Sequence, residues 1–190
     1  MINLKCKNIA WVLPRPKKDS YKGGMPLYAE ERLIRLARNI LRDRNAKVLS
    51  LFCGMCKIGY RVDIRPLVKP KLCCDIHELS RHLKKRKESF DIILADPPYS
   101  NKESKDVYGT PKLKYSKWTK EADVFLRPGG LFIIYHKLMM PNPNPKTYDV
   151  VKRVFIGIRT NHPPRVATFY HKHCNPFSKS TREKFKLIDI

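Results

Sequence analysis

Residues 90–99 read Phe90-Asp91-Ile92-Ile93-Leu94-Ala95-Asp96-Pro97-Pro98-Tyr99, and their reading decides the fold. Phe90–Ala95 is a short, mostly apolar run that Pro97-Pro98 stops at once, as expected of a strand rather than a helix. Its apolar residues are nearly continuous rather than alternating. That pattern belongs to a strand covered on both faces, the usual state in a parallel sheet. Asp96 and Tyr99 therefore stand at the carboxyl end of a buried strand, where open α/β sheets bind their ligands.

Upstream, Lys47–Phe52 (KVLSLF) reads as another buried strand ending at Gly54. Arg61–Ile64 (RVDI) and Lys71–Cys74 (KLCC) are two shorter strands. A helix is expected over about Leu27–Arg42, where Leu33, Leu36, Ala37, Ile40 and Leu41 recur at helical spacing. His77–Lys87 is expected as a basic amphipathic helix carrying Leu79 and Leu83, and residues 1–26 as irregular. Downstream, a polar loop is expected from Ser100 to about Lys117, then a helix over about Trp118–Leu126. Pro128-Gly129-Gly130 then turns into a strand at Leu131–His136, and Met140–Pro145 is loop. Val150–Arg159 and Arg165–Lys172 flank Asn161-His162-Pro163-Pro164 and read as an antiparallel hairpin. The expected class is thus α/β, a mostly parallel sheet with an antiparallel C-terminal hairpin. One domain would span residues 1–174, with a basic tail at 175–190. Only eight residues separate Gly54 from Asp63, too few for a crossover helix of ordinary length, so the first crossover helix should be shortened or absent.

The charge is lopsided. Lys and Arg number 40 against 17 acids, a net +23 in 190 residues. Such an excess opposes compaction and suits a polyanionic partner, since each neutralised phosphate releases a counterion. Nucleic acid is the expected partner. The N-terminus is too polar for a signal peptide and no apolar run is long enough to span a bilayer, so a cytoplasmic location is the default expectation. The six cysteines do not form the paired spacing of a zinc ribbon. Cys53-Gly54-Met55-Cys56 has CxxC spacing, which reads better as small apolar packing than as a redox pair.

Asp96-Pro97-Pro98-Tyr99 resembles the fourth motif of the DPPY-type amino-methyltransferases, which modify adenine N6, cytosine N4 and sometimes guanine N2. Val48–Gly54 (VLSLFCG) is similar to that family's first motif, an apolar strand followed by F-x-G-x-G. Phe52 and Gly54 match, whereas Cys56 replaces the second glycine and Ser50 the usual acid. A compact archaeal and viral-type group of DNA adenine methylases is resembled over roughly residues 12–173. Its features appear in order as Lys57-Ile58-Gly59, Val62-Asp63-Ile64, Asp75-Ile76-His77-Glu78-Leu79 and DPPYS. Tyr21–Pro26 looks like the family's N-terminal motif, with Gly24 and Pro26 lining the methionine end of the cofactor.

The resemblance implies a Rossmann-like methyltransferase sheet and S-adenosylmethionine as cofactor. It further implies methylation of an exocyclic amino group, adenine N6 in DNA being favoured over RNA. Cytosine N4 or guanine N2 in DNA or RNA is the nearest alternative, and a nucleic-acid-binding relative without catalysis the next. Phe52, Gly54, Asp63, Asp75 and Asp96 would face the cofactor. Asp63 suits ribose hydroxyls and Asp75 the adenine amino group, although Asp75 also fits a helix N-cap. At the target, Asp96 and the Pro97 carbonyl would accept the two N–H bonds of the amine, and Pro97-Pro98 would stiffen that backbone. Tyr99 would stack on the presented base.

Two weaker signals remain. Lys112, Lys114 and Lys117, with Tyr108, Tyr115 and Trp118 nearby, suit a nucleic-acid-binding lid, though a solvated loop has the same composition. His171-Lys172-His173-Cys174 could be read as metal ligands, but no matching partner acid or cysteine is evident and the expected chemistry needs no metal. The chain leaves little room for a separate target-recognition domain. Target choice would be loose, or would come from a homodimer or another partner.

Overall fold

The computed structural model describes residues 7–14, 25–26, 28–106, 109–110, 112–158 and 163–174. They form an eight-stranded sheet in the order β1-β7-β8-β6-β5-β2-β3-β4. The strands are β1 (Lys7–Val12), β2 (Val48–Leu51), β3 (Tyr60–Asp63), β4 (Leu72–Cys73), β5 (Phe90–Ala95), β6 (Leu126–His136), β7 (Tyr148–Gly157) and β8 (Arg165–Lys172). The helices are α1 (Ala29–Leu41), α2 (Leu79–His82), α3 (Asn101–Asp106) and α4 (Tyr115–Asp123). Neighbours pair in parallel except β8, which runs antiparallel to both β6 and β7. Counted from β2, the five parallel neighbours stand in the order 3-2-1-4-5 of a doubly wound sheet. The order reverses between β2 and β5.

Both faces of the sheet are covered, which is why β5 reads as a nearly unbroken apolar run. Side chains alternate across a strand. Leu49, Leu51, Ile93, Ala95, Phe132 and Ile134 pack with Trp118, Phe125 and Leu79 from the α2–α4 side. Val48, Ile92, Leu94, Ile133 and Tyr135 pack with Leu33, Ile34 and Ala37 of α1 on the other.

No helix lies between β2 and β3. The chain returns through a tight loop in which Phe52, Gly54 and Gly59 all have positive φ. Ser50 and Cys56, the two departures from the family's first motif, fasten this loop. Ser50 Oγ donates to the Ile58 carbonyl at 2.8 Å, and Cys56 Sγ lies 3.8 Å from that hydroxyl. Burial pushes the Cys53 and Cys56 thiols up to about 12, so neither is a thiolate at neutral pH.

Four elements differ from expectation. Lys7–Val12 is a strand: it pairs in parallel with β7, and the Arg32 guanidinium lies 4.6 Å from the Trp11 ring centroid. His77–Lys87 is not one helix but a 3₁₀ turn, the short α2 and another 3₁₀ turn. Leu79 and Leu83 are buried as expected, but Lys84 and Lys85 after them would stand three and four residues from Arg81, like charges that disfavour a continued helix. The stretch after Ser100 is not all loop. Ser100 Oγ accepts the Glu103 N–H at 3.0 Å and opens α3. Ser100-Asn101-Lys102-Glu103 is a capping-box sequence, so the signal was present. Finally, β6 starts at Leu126 rather than Leu131, running through Pro128-Gly129-Gly130 with an irregular register opposite Phe90–Ile92. An ion pair of Arg127 with Asp91 holds that early segment on β5. None of the described helices is long and apolar enough to cross a membrane.

Candidate functional site

The carboxyl ends of β2, β3, β5 and β6 converge on the reversal point of the sheet. There the loop after β2 adjoins the Asp96–Tyr99 corner, and the Asp96 N–H reaches the Leu51 carbonyl at 3.4 Å. Pro97 is buried, while Asp96, Pro98 and Tyr99 are half-buried. Desolvation raises the Asp96 carboxyl well above the usual carboxylate range. The negative charges of Glu30 and Glu103 add to the rise, and the Arg165 guanidinium and a hydrogen bond with Tyr99 oppose it.

Glu103 has a second task. Its Oε2 accepts the Tyr99 N–H at 2.7 Å, so α3 fixes the corner it follows. Glu30, in the first turn of α1, reaches the β2 loop through a side-chain hydrogen bond with Cys56. Its carboxyl is itself raised, by burial first. Neither Glu30 nor Glu103 emerged from the sequence reading. A charged residue in the first turn of a helix is ordinary, and only the fold brings both toward Asp96.

The Tyr99 ring is well surrounded. His136 meets it edge-on with centroids 5.1 Å apart, Lys137 Nζ lies 4.7 Å from its centroid and the Arg165 guanidinium 5.0 Å. These groups come from the end of β6 and the start of β8, which the antiparallel register His136↔Val166 sets side by side. A base placed against Tyr99 would share the ring with two cations.

Asp63 ends β3 almost fully buried. Its Oδ2 accepts the Gly54 N–H at 2.9 Å, and Oδ1 accepts the Arg65 N–H at 3.0 Å and pairs with Arg65 Nε at 3.1 Å. It therefore pins the glycine loop to β3. Burial raises its carboxyl, against the pull of those backbone N–H groups. Phe52 meets Trp118 edge-on at 5.3 Å.

Asp75 follows β4 and caps the next turn, accepting the His77 N–H at 2.9 Å. Its Oδ1 also lies 2.8 Å from His77 Nδ1. His77 Nε2 accepts the Lys114 N–H at 3.0 Å, so the neutral ring carries its proton on Nδ1 and donates it to Asp75. This relay ties the Lys112–Lys117 segment to the β4 loop. Lys112, Lys114 and Lys117 are all exposed. Trp118 is not: it is fully buried, correcting its place among the lid aromatics. Pro26 is buried, and its carbonyl accepts the Ala29 N–H at 2.9 Å, starting α1. Gly24, Tyr108 and the 175–190 tail lie outside the described residues. His173 pairs with Asp149 at 2.9 Å, and His171 is buried and pushed down to about 4 by desolvation. Among the described residues no group of three His, Cys, Asp or Glu side chains could hold a metal ion.

No protein-family model matches the chain, and no curated protein matches it by sequence. Solved structures do match. TrmN from Thermus thermophilus superposes with a TM-score of 0.54 at 19% identity, over 80% of this chain and 50% of TrmN. This chain thus spans half the length of that protein. N-methyltransferase NodS from Bradyrhizobium japonicum WM9, in complex with S-adenosyl-L-homocysteine, superposes with a TM-score of 0.52 at 14% identity, over 82% of this chain and 92% of NodS. These likenesses, with the strand order, establish a Rossmann-like methyltransferase fold.

Proposed function

We propose that this protein is an S-adenosylmethionine-dependent methyltransferase acting on an exocyclic amino group of a nucleic-acid base, adenine N6 in DNA in the first instance. The observation that carries the reading is Asp96. A desolvated carboxylate, followed by a rigid Pro-Pro corner, stands at the reversal point of a methyltransferase-type sheet.

The residues present suit the cofactor. Glu30 and Glu103 act on Asp96 as like charges, and Arg165 is the cation that opposes them there. A molecule carrying a sulfonium and an ammonium meets that imbalance. When bound, S-adenosylmethionine supplies an electrophilic methyl group. The Phe52–Gly54 loop, Asp63 and Asp75 would hold it, with Glu30 facing the same loop.

The target amine is a poor nucleophile because its lone pair is delocalised into the ring. Asp96 accepts one N–H and the Pro97 carbonyl the other, freeing the lone pair for the methyl group. As a methyl–nitrogen bond replaced the methyl–sulfur bond, leaving a neutral thioether, the nitrogen would give up one proton, which Asp96 would take. Its raised proton affinity favours that last step. Digesting nucleic acid treated with the enzyme and S-adenosylmethionine to nucleosides, then identifying the product by mass spectrometry, tests the reading. N6-methyladenosine or its deoxy form supports it. N4-methylcytosine or N2-methylguanine would move the target base, and no methylated nucleoside would refute it.

Asp63 carries a separable expectation. Asp63→Ala removes the acceptor for the Gly54 N–H and should weaken S-adenosylmethionine binding, measured by calorimetry, by at least about tenfold. Asp63→Asn keeps an acceptor for Gly54 and loses the charge opposite Arg65. If it binds as the wild type does, positioning of the loop is the main role. Unchanged affinity in the alanine variant would remove Asp63 from the site.

Polyanion binding is tested by salt. With +23 on the chain, affinity for duplex DNA should fall steeply with added salt, at a slope near −0.9 per phosphate neutralised. Changing Lys112, Lys114 and Lys117 together to Gln should flatten that slope and weaken all sequences about equally. An affinity independent of salt would make a nucleic-acid partner untenable.

A further inference from the structure

We infer that Leu138-Met139 is an apolar wedge that enters a nucleic-acid base stack beside the Asp96 corner and unstacks the base to be modified. The inference rests on the proposed function and adds to it how the base leaves its helix.

Large apolar side chains are exposed in a pattern. Among the described residues they are Val12, Tyr28, Met55, Leu67, Leu138 and Met139. Every one sits on the carboxyl-end rim of the sheet, at the end of a strand, on the segment leaving it, or at the entry to α1. Leu138 and Met139 are consecutive, 66% and 62% exposed, and follow directly on two residues that contact the Tyr99 ring. The residue before them is Lys137, whose ammonium lies over the Tyr99 ring, and His136 meets the same ring edge-on.

The dipeptide is held rigidly from both sides. His136 Nδ1 accepts the Leu138 N–H at 3.0 Å. Burial lowers the proton affinity of that imidazole, consistent with its acting as an acceptor. On the far side the Tyr170 hydroxyl donates to the Met140 carbonyl at 2.6 Å, and the Tyr115 hydroxyl donates to the Pro141 carbonyl at 2.5 Å. An apolar pair exposed on a loose loop would collapse onto the core. Here the backbone anchors keep it projecting.

A nucleic acid is the occupant that the surroundings favour. Lys137 precedes the pair, Arg165 shares the Tyr99 ring with Lys137, and the chain as a whole is strongly basic. Such a setting repels a basic copy of itself and attracts phosphate. Leu and Met are side chains that proteins insert between base steps, with backbone cations on either side. An inserted pair would fill the space left when the neighbouring base swings toward Asp96 and Tyr99.

The test uses the full-length protein and a mixed-sequence DNA duplex with 2-aminopurine at several adenine positions. Affinity is read by anisotropy, unstacking by 2-aminopurine fluorescence, and self-association by sedimentation. The wild type should brighten the probe on binding. Leu138→Ala combined with Met139→Ala should lose most of that signal while affinity changes by less than about threefold, because phosphate contacts dominate binding. Both side chains are exposed, so melting should stay unchanged. Equal brightening in the double variant, or no brightening by a wild type that does bind the duplex, overturns the wedge and leaves the methyltransferase reading standing. Loss of self-association in the double variant, with fluorescence intact, would assign the pair to a second copy instead and overturn the wedge. Failure of the wild type to bind any nucleic acid would sink the function reading and the wedge together.

Discussion

Asp96→Ala should lower methyl transfer by about 10²–10⁴-fold while S-adenosylmethionine affinity stays within a few-fold. The asymmetry follows from the placement of the carboxylate. It is assigned to the target amine, whose N–H bonds become more acidic as the methyl bond forms, so its effect belongs to the transition state. The pH dependence gives an independent check. The ionised carboxylate is the reactive form, and burial with Glu30 and Glu103 raises its proton affinity. The acid limb of kcat/KM should therefore lie above the ordinary carboxylate range, with activity lost as pH falls through it. Asp96→Asn keeps an acceptor oxygen and should retain some activity without that limb.

Stability should move the other way. The folded pKa of Asp96 is raised above its unfolded value, so the ionised group destabilises the fold. That destabilisation is absent below the unfolded pKa and complete above the folded one. Asp96→Asn should therefore melt higher than the wild type at neutral pH, and the difference should shrink as the solution is acidified. Thermal melts across pH read this directly. A wild-type rate in Asp96→Ala, or a lower melting temperature for Asp96→Asn at neutral pH, would contradict the role given to this carboxyl.

What the sequence disclosed, it disclosed through local patterns. Phe90–Ala95 could be bounded to the residue because a run buried on both faces ends in two prolines. The missing crossover helix followed from counting residues between Gly54 and Asp63. Three kinds of feature stayed hidden. β1 lies in a Pro- and Gly-containing N-terminal region and is a strand because it pairs with β7, a partner about 145 residues away whose identity no local pattern carries. The break in His77–Lys87 depends on repulsion along a basic face, which periodicity of Leu79 and Leu83 does not weigh. At the site, Asp96 was legible from its motif. Among its neighbours, Glu103 lies on the helix that directly follows, but Glu30 and Arg165 come from distant elements that only the fold brings to it. Ser50 and Cys56 looked like defects in a motif; their contacts make them fasteners of a shortened loop.

That shortened loop makes the heaviest structural demand at Gly59. With no crossover helix, the chain must turn straight from the β2 loop into β3, and Gly59 does so at φ +72. A Cβ there would lie 2.3 Å from the Val48 carbonyl oxygen and 2.7 Å from Val48 Cβ. Neither atom can swing away: Val48 is the first residue of β2, in register with Ile92 of β5. Gly59→Ala should therefore cost about 3 kcal/mol or more, since a backbone clash adds to a left-handed φ. For a chain of this size that is a fall of roughly 6–12 °C in Tm. Gly109→Ala is the matched control. Gly109 also has positive φ, +61, yet among the described residues nothing lies within 4 Å of its Cβ position. It should cost only the conformational part, about 1 kcal/mol. The gap between the two melts isolates the close approach of the loop to β2. At temperatures where Gly59→Ala is still folded, the displaced loop should also weaken S-adenosylmethionine binding, because Gly54 belongs to the same loop, which Ser50 fastens to β2 through the Ile58 carbonyl; Gly109→Ala should not. Equal melting temperatures for the two variants would mean that β2 and the loop can separate without cost, and that the crossover is not as tight as its contacts require.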